Sequence, residues 1–222
     1  MKKIVLIILI LMLAATSNVY ATSFPDISQN SYLEESVGVL SSYGIMQGYP
    51  DGTFKPDKIV TRAEMAKIVT VAAGFYEYSQ NMTSVYSDMK GHWAESYVEL
   101  ANVLNIVKGT TESTYAPDKF IKFAEAYTMI IRLLGYSDES LPGEWPPNYF
   151  EKAKELNLFV NVDTSVEFAT RKDISMMLYN ALSCDLVKVK ENNTVYSTNK
   201  TLLSIFGKKE TKEVTSSDLK IE

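Results

Sequence analysis

Apolar residues return along this chain in short bursts at helical spacing, and each pair of bursts is separated by a polar, turn-rich interval. Tyr97, Val98, Ala101 and Leu104 fall on one helical face. So do Met65, Ala66, Val69, Ala72 and Ala73; Tyr127, Ile130, Ile131 and Leu134; and Ile174, Met177, Leu178, Ala181 and Leu182. These patterns predict amphipathic helices. Gly44, Asn105 and Asn157 stand where a preceding helix would end in the left-handed conformation. Thr61 with Glu64, and Thr170 with Asp173, have the spacing of a capping box at the start of a following helix. Lys122 takes the threonine's place in the middle case, so that side-chain cap is expected to be lost.

The pattern is a repeat. The segment from Tyr32 and the segment from Trp93 align without a gap at an offset of 61. Ile45 answers Ile106, Gly48 answers Gly109, and Phe54 answers Tyr115. Pro56-Asp57-Lys58 answers Pro117-Asp118-Lys119, and Ala63-Glu64 answers Ala124-Glu125. A weaker third copy begins at Trp145, with Tyr149, Ala153, Leu156 and Asn157 in register at an offset of 52. Its second half matches at 48, so its loop is shorter, and it lacks the Pro-Asp pair. The expected fold is all-α: three helix-loop-helix repeats in a pseudo-threefold, spindle-like bundle, with a short irregular C-terminal tail. A single helix pair cannot bury its apolar face, but three around a shared axis can. The expected boundaries are 1–21, 22–79, 80–138, 139–185 and 186–222. In the last, 187–196 could form two short strands about Asn192-Asn193 and 198–209 a short helix, before a polar end.

Residues 1–21 carry Lys2 and Lys3, an apolar run from Ile4 to Ala15, and Val19-Tyr20-Ala21. This predicts a secretory signal peptide cleaved after Ala21. The run is short of the roughly 20 apolar residues that span a bilayer, so no membrane attachment is expected after cleavage. The net charge of −5 becomes more negative once Lys2 and Lys3 leave, which argues against a nucleic-acid partner. Cys184 is the single cysteine, so no internal disulfide can form. An exported chain of this kind points to the surface of a bacterium, and to a Gram-positive one.

The aligned residues resemble S-layer homology domain proteins. The resemblance is carried by Phe24-Pro25-Asp26-Ile27, Gly44-Ile45-Met46-Gln47-Gly48-Tyr49, Asp51-Gly52-Thr53-Phe54-Lys55-Pro56 and Thr61-Arg62-Ala63-Glu64. In copy two it is carried by Ser87-Asp88-Met89, Gly91-His92-Trp93-Ala94 and Tyr115-Ala116-Pro117, and in copy three by Trp145, Asn157-Leu158 and Thr170-Arg171-Lys172-Asp173. The resemblance implies a three-pronged helical spindle whose inter-repeat grooves bind a cell-wall polysaccharide, often a pyruvylated secondary polymer. It implies non-covalent anchoring of an exported protein at the wall or S-layer, with contact to other surface proteins open. The arginine of Thr-Arg-Ala-Glu would be the main carboxylate contact. The early aspartate, the first-helix tryptophan and the loop glycine would shape the grooves.

The candidate glycan-binding residues are Arg62, Glu64, Asp26, Gly48, Tyr32, Asp88, Trp93, Gly109, Lys122 and Arg171. Arg62 and Arg171 open helices, where a cation opposes the macrodipole but helix N–H groups welcome an anion. An arginine there can act as a carboxylate clamp, or can lie in solvent paired with Asp57 or Glu64. Lys122-Phe123 replaces Thr-Arg in copy two; Lys122 could supply the charge from a shifted place, or that groove could be structural. Asp26 and Asp88 read as helix caps or ligand contacts. Trp93 could stack on a sugar or pack, and Trp145 reads as packing. His92 reads as a cap beside Trp93, and Cys184 as a buried hydrophobe. No metal-ligand cluster, nucleophile elbow or phosphate loop is present, so no enzyme, metal or cofactor is expected. The alternative reading is a structural protein whose degenerate repeats recruit a protein partner instead of glycan.

Overall fold

The computed structural model describes residues 23–79 and 81–208; the leader and the polar end of the tail lie outside the described residues. Six α-helices are present among the described residues: α1 (Tyr32–Ser42), α2 (Arg62–Ala72), α3 (Glu95–Val103), α4 (Phe123–Leu133), α5 (Pro147–Glu155) and α6 (Arg171–Ala181). Their starts follow the local chemistry. Ser31 caps α1 by accepting from the Glu34 N–H. Thr61 and Thr170 cap α2 and α6, and Glu64 and Asp173 reach back to the N–H of each cap residue. At α4 only half of that exchange exists: Glu125 accepts the Lys122 N–H at 3.0 Å, while the lysine offers no acceptor in return. Gly44, Asn105 and Asn157 have φ of 72°, 57° and 57°, the left-handed ends expected after the first helices.

Helices pair across copy boundaries. The closest neighbours are α2 with α3, α4 with α5, and α1 with α6. Each first helix therefore packs on the second helix of the copy before it, and α1 closes the ring on α6. One buried cluster runs through all of them, including Val37, Leu40, Met65, Val69, Ile130, Ile131, Ile174 and Met177.

At the starts of α2, α4 and α6 three backbone segments meet. The Val60 N–H donates to Ala169 O, the Ile121 N–H to Val60 O, and the Ala169 N–H to Ile121 O, at 2.9–3.2 Å. Isolated bridges Ile59–Thr170, Thr61–Phe120 and Lys122–Phe168 flank this cycle. Val60, Ile121 and Ala169 are buried, so the cycle satisfies backbone groups that water cannot reach.

The far end is closed by the tail, in which the two strands read about Asn192-Asn193 form and the following segment turns helical. Strands β1 (Asp185–Val189) and β2 (Val195–Thr201) form an antiparallel hairpin. The Val187 N–H donates to Leu134 O at 2.8 Å, docking β1 on the end of α4. The 3-10 segment Leu203–Lys208 follows. Leu202 and Phe206 are buried, with Phe206 against Tyr43 at 5.0 Å. These side chains seal the core where the helices end.

Candidate functional site

The two helix-opening arginines do the same thing in different copies. Arg62 is 3% exposed. Its Nε donates to Tyr115 O at 2.9 Å, its Nη2 to Lys108 O at 3.0 Å, and its Nη1 to Glu125 at 2.5 Å. Arg171 donates from Nε to Phe54 O and from Nη2 to Gln47 O, both at 2.7 Å. Tyr115 and Phe54 are aligned positions, as are Lys108 and Gln47. Each guanidinium also lies over the aromatic ring of the loop it grips, at 4.5 Å for Tyr115 and 4.3 Å for Phe54. The arginine of one copy thus bolts down the loop of the next, copy three reaching round to copy one.

This corrects two expectations. Neither arginine lies in solvent with Asp57 or Glu64: Glu64 pairs with Lys58, and Asp57 with Lys172. Nor are the helix-start N–H groups open to an anion. Those of Arg62 and Ala63 donate to Lys119 O and Pro117 O, and those of Arg171 and Lys172 to Lys58 O and Pro56 O, at 2.8–2.9 Å. The Pro-Asp-Lys motif supplies carbonyls to a neighbouring helix start, a role that spacing along one copy could not reveal.

Copy two carries Phe123 at the arginine's position. Phe123 is buried against Phe159 at 5.7 Å, with Tyr127 and Phe150 completing an aromatic cluster. Lys122 is exposed and makes no side-chain bond to that loop, so it does not replace the missing cation.

Asp26 and Asp88 do not cap helices. Ser31 holds that place for α1, and α3 has no side-chain cap at Ala94. The Asp26 carboxylate accepts from the N–H groups of Phe54 and Lys55 at 2.9 and 2.7 Å. That of Asp88 accepts from Tyr115 and Ala116 at 2.8 and 2.7 Å. Lys55 and Ala116 have φ of 57° and 59°, unusual for residues with a Cβ, and the aspartates fasten these turns. Burial alone would raise both carboxyls, but the backbone donors outweigh it and hold them below the usual range.

The loop glycines are packing sites. A Cβ on Gly48 would strike the Phe24 ring, and one on Gly109 would lie 2.5 Å from the Tyr86 ring and 2.6 Å from Thr114 O. The Gly109 N–H also donates to the Tyr86 hydroxyl at 2.8 Å. Tyr32 donates to Asn180 Oδ1 and meets the Tyr179 ring edge-on, joining α1 to α6. His92 Nδ1 accepts the Ala94 N–H at 3.1 Å and its ring lies 5.5 Å from Trp93, as expected. Cys184 is partly buried, and burial pushes its thiol up.

The most site-like hollow holds about 260 Å³ and is lined by Arg62, Lys108, Gly109, Glu125, Arg132 and Trp145, among others. Its lining comes mainly from copy two, with Arg62 of copy one and Trp145 of copy three completing it. Trp145 is half-exposed, its Nε1 donating to Thr128 Oγ1 at 2.9 Å, which corrects its reading as a packing residue. Trp93 is also exposed, at the aligned position. Arg132, which the sequence reading passed over, donates to Asp138 at 2.7 Å and to the Tyr149 hydroxyl at 3.2 Å. Burial, then the Asp138 carboxylate, push the Tyr149 phenol up to about 12. A broader hollow around Leu141, Pro142 and Asn148 is lined by charges that pair among themselves, Lys152 with Glu155 and Lys154 with Glu151. Among the described residues no acidic, histidine or cysteine group could hold a metal, and no helix is long and apolar enough to cross a membrane.

Helical repeats whose arginines lock one copy onto the next, with a cation-lined hollow at a repeat junction, define a repeat-built binding module. Residues 23–66 and 85–126 match the S-layer homology domain, and the chain is an S-layer homology domain protein. It is 38% identical over 73% of its length to the middle cell wall protein of Brevibacillus brevis, covering 16% of that protein. It is 33% identical over 92% of its length to a surface layer protein of Brevibacillus choshinensis, covering 19%. Half of it is 32% identical to the cellulosome-anchoring protein of Acetivibrio thermocellus, covering 26%. The chain therefore spans about a fifth of the length of the curated relatives it matches.

Proposed function

We propose that this chain anchors an exported protein non-covalently to the wall of a Gram-positive bacterium. In this reading the module is an all-α, pseudo-threefold spindle of three repeats, with a hairpin added at its base. Its grooves seat an anionic, pyruvylated secondary wall polymer, and its role is binding, not catalysis. The observation that carries the reading is the hollow where Lys108 and Arg132 stand beside Arg62 under the half-exposed Trp145. Cations beside an exposed indole suit a sugar bearing a carboxylate. The chain's likeness to cell wall, surface layer and cellulosome-anchoring proteins favours the same location. Arg62 acts by holding the Lys108-Gly109 loop in place, and several modest groove contacts act together.

The mature protein is expected to co-sediment with purified Gram-positive walls and to lose this when acid strips the secondary polymer. Arg62→Ala should weaken retention more than Lys122→Ala. Equal binding to stripped walls refutes the reading. The saturation of Arg62 and Arg171 by protein carbonyls favours a second reading, a repeat scaffold that recruits a protein partner and no longer binds glycan. Unchanged wall retention by a folded Arg62→Ala, Arg171→Ala double variant would support it.

A further inference from the structure

Two cations that line the Arg62 hollow, Lys108 and Arg132, already hold a carboxylate that stands just outside its lining. Asp138, in the Asp138–Ser140 turn between copies two and three, accepts from Lys108 Nζ at 2.5 Å, Tyr149 OH at 2.6 Å and Arg132 Nη2 at 2.7 Å. These donors come from three places: the loop after α3, the last turn of α4, and α5. Two of them are fixed. Tyr149 is fully buried, the Arg132 side chain is 10% exposed, and the guanidinium lies over the Tyr149 ring at 5.4 Å. The third contact is loose, with Lys108 and Asp138 side chains 61% and 40% exposed. The two cations are confined to copy two. Gln47 and Val160 align with Lys108, and Val71 and Asn180 align with Arg132.

We propose that Lys108, Arg132 and Tyr149 form a carboxylate seat, that Asp138 fills it as an internal ligand, and that a glycan carboxylate entering the hollow competes with Asp138 for these donors. The inference rests on the glycan reading given under Proposed function. Two cations and a hydroxyl on one carboxylate are the donor set an acidic sugar substituent requires. A half-exposed ion pair such as Lys108–Asp138 contributes little and opens readily, so an incoming anion can take Lys108 first and then compete with Asp138 for Arg132 and Tyr149. Asp138 lowers affinity in two ways: it occupies the donors, and its charge repels the ligand's. It thereby keeps exchange at this groove fast.

The test is calorimetric titration of the mature protein with a methyl hexoside bearing a pyruvate ketal, against the same hexoside without it. Asp138→Asn retains an acceptor for Arg132 and Tyr149, so the fold should hold, as a thermal melt will show. It should bind the ketal about three- to tenfold tighter, with a steeper salt dependence. Asp138→Glu, which keeps the charge, should stay near wild type. Arg132→Gln and the exposed Lys108→Met should each bind several-fold more weakly. Asp138→Asn binding that is unchanged or weaker, with Arg132→Gln still impaired, overturns the competition. Full binding by Arg132→Gln and Lys108→Met overturns the seat while leaving the groove reading intact. No binding by the wild type removes that reading and this inference together.

Discussion

Arg62→Ala sets two physical effects of opposite sign against each other. By the helix macrodipole, removing a cation from the first turn of α2 should stabilise the protein by roughly 0.3–1 kcal/mol. The tertiary contacts predict the reverse. Arg62 gives charged hydrogen bonds to two backbone carbonyls, each worth roughly 1.5–3 kcal/mol. Its pairing with Glu125 counts for less, because that carboxylate is 25% exposed and can rehydrate. Truncation also uncovers the buried Tyr115 ring on which the guanidinium lies. The net expectation is a loss of about 3–5 kcal/mol, in the range for breaking a buried pair. At roughly 2–4 °C per kcal/mol for a body of this size, the melting point should fall by about 10 °C. Urea unfolding should show a lower midpoint with an unchanged slope. Arg62→Lys should recover only part of the loss, since a point charge cannot span carbonyls and carboxylate together. Lys122→Ala, on an exposed side chain, should stay within about 0.5 kcal/mol. A melting point for Arg62→Ala within about 2 °C of wild type would refute the bolt.

Leu202→Ala should cost roughly 2–5 kcal/mol in denaturant unfolding, because Leu202 is buried beneath the hairpin; no change would mean the tail does not seal the core. Gly109→Ala should lower the melting point by several degrees, since its Cβ would crowd the Tyr86 ring and Thr114 O, whereas Gly52→Ala meets no atom within 4 Å and carries only its positive-φ strain, a smaller loss. Asp88→Asn should blunt the acid sensitivity of folding. The Asp88 carboxyl is held below its ordinary value, so its contribution is present above about pH 4 and lost as pH falls through the lowered value. Stability curves of wild type and Asp88→Asn should therefore converge in acid, and curves that stay parallel would count against the turn-fastening role.

What the sequence disclosed, and what it hid, divides along the reach of each interaction. The Thr61 and Thr170 caps and the left-handed Gly44, Asn105 and Asn157 were legible because each is settled within about four residues. The partners of Arg62 and Arg171 were not, because they lie 46–124 residues away, across copy boundaries. Asp26 and Asp88 were misread for a related reason. Their N–H partners are 27–29 residues on, yet an acidic residue just before a helix looks like a cap. A signal was available: each aspartate recurs at nearly constant distance from a Phe-Lys or Tyr-Ala pair. Arg132 escaped for the opposite reason. Aligning repeats rewards sameness, and Arg132 stands where the other copies have Val71 and Asn180. A residue confined to one copy is what such a comparison discards, although it is where a groove can acquire chemistry of its own.

The exchange of Arg62 and Arg171 for Phe123 then carries a consequence for how the ring holds. Two of the three junctions are closed by guanidinium groups bonded to loop carbonyls, and the third by Phe123 on Phe159. The cyclic Val60–Ile121–Ala169 hydrogen bonds are common to all three, so the backbone geometry survives the change of side-chain chemistry. A guanidinium needs carbonyls presented at fixed positions, which in copies one and two are supplied by the Phe54 and Tyr115 turns fastened by Asp26 and Asp88. An aromatic ring needs only an apolar surface, and it asks nothing of the loop it meets. The short third loop, with neither the Pro-Asp pair nor a fastening aspartate, is thus matched to Phe123 rather than simply eroded. The position without an arginine in copy two and the loop without the motif in copy three face each other across the same junction. At that junction the aromatic cluster fills the place where the other two hold charge, which leaves the Arg62 and Arg171 junctions as the ones built around a cation.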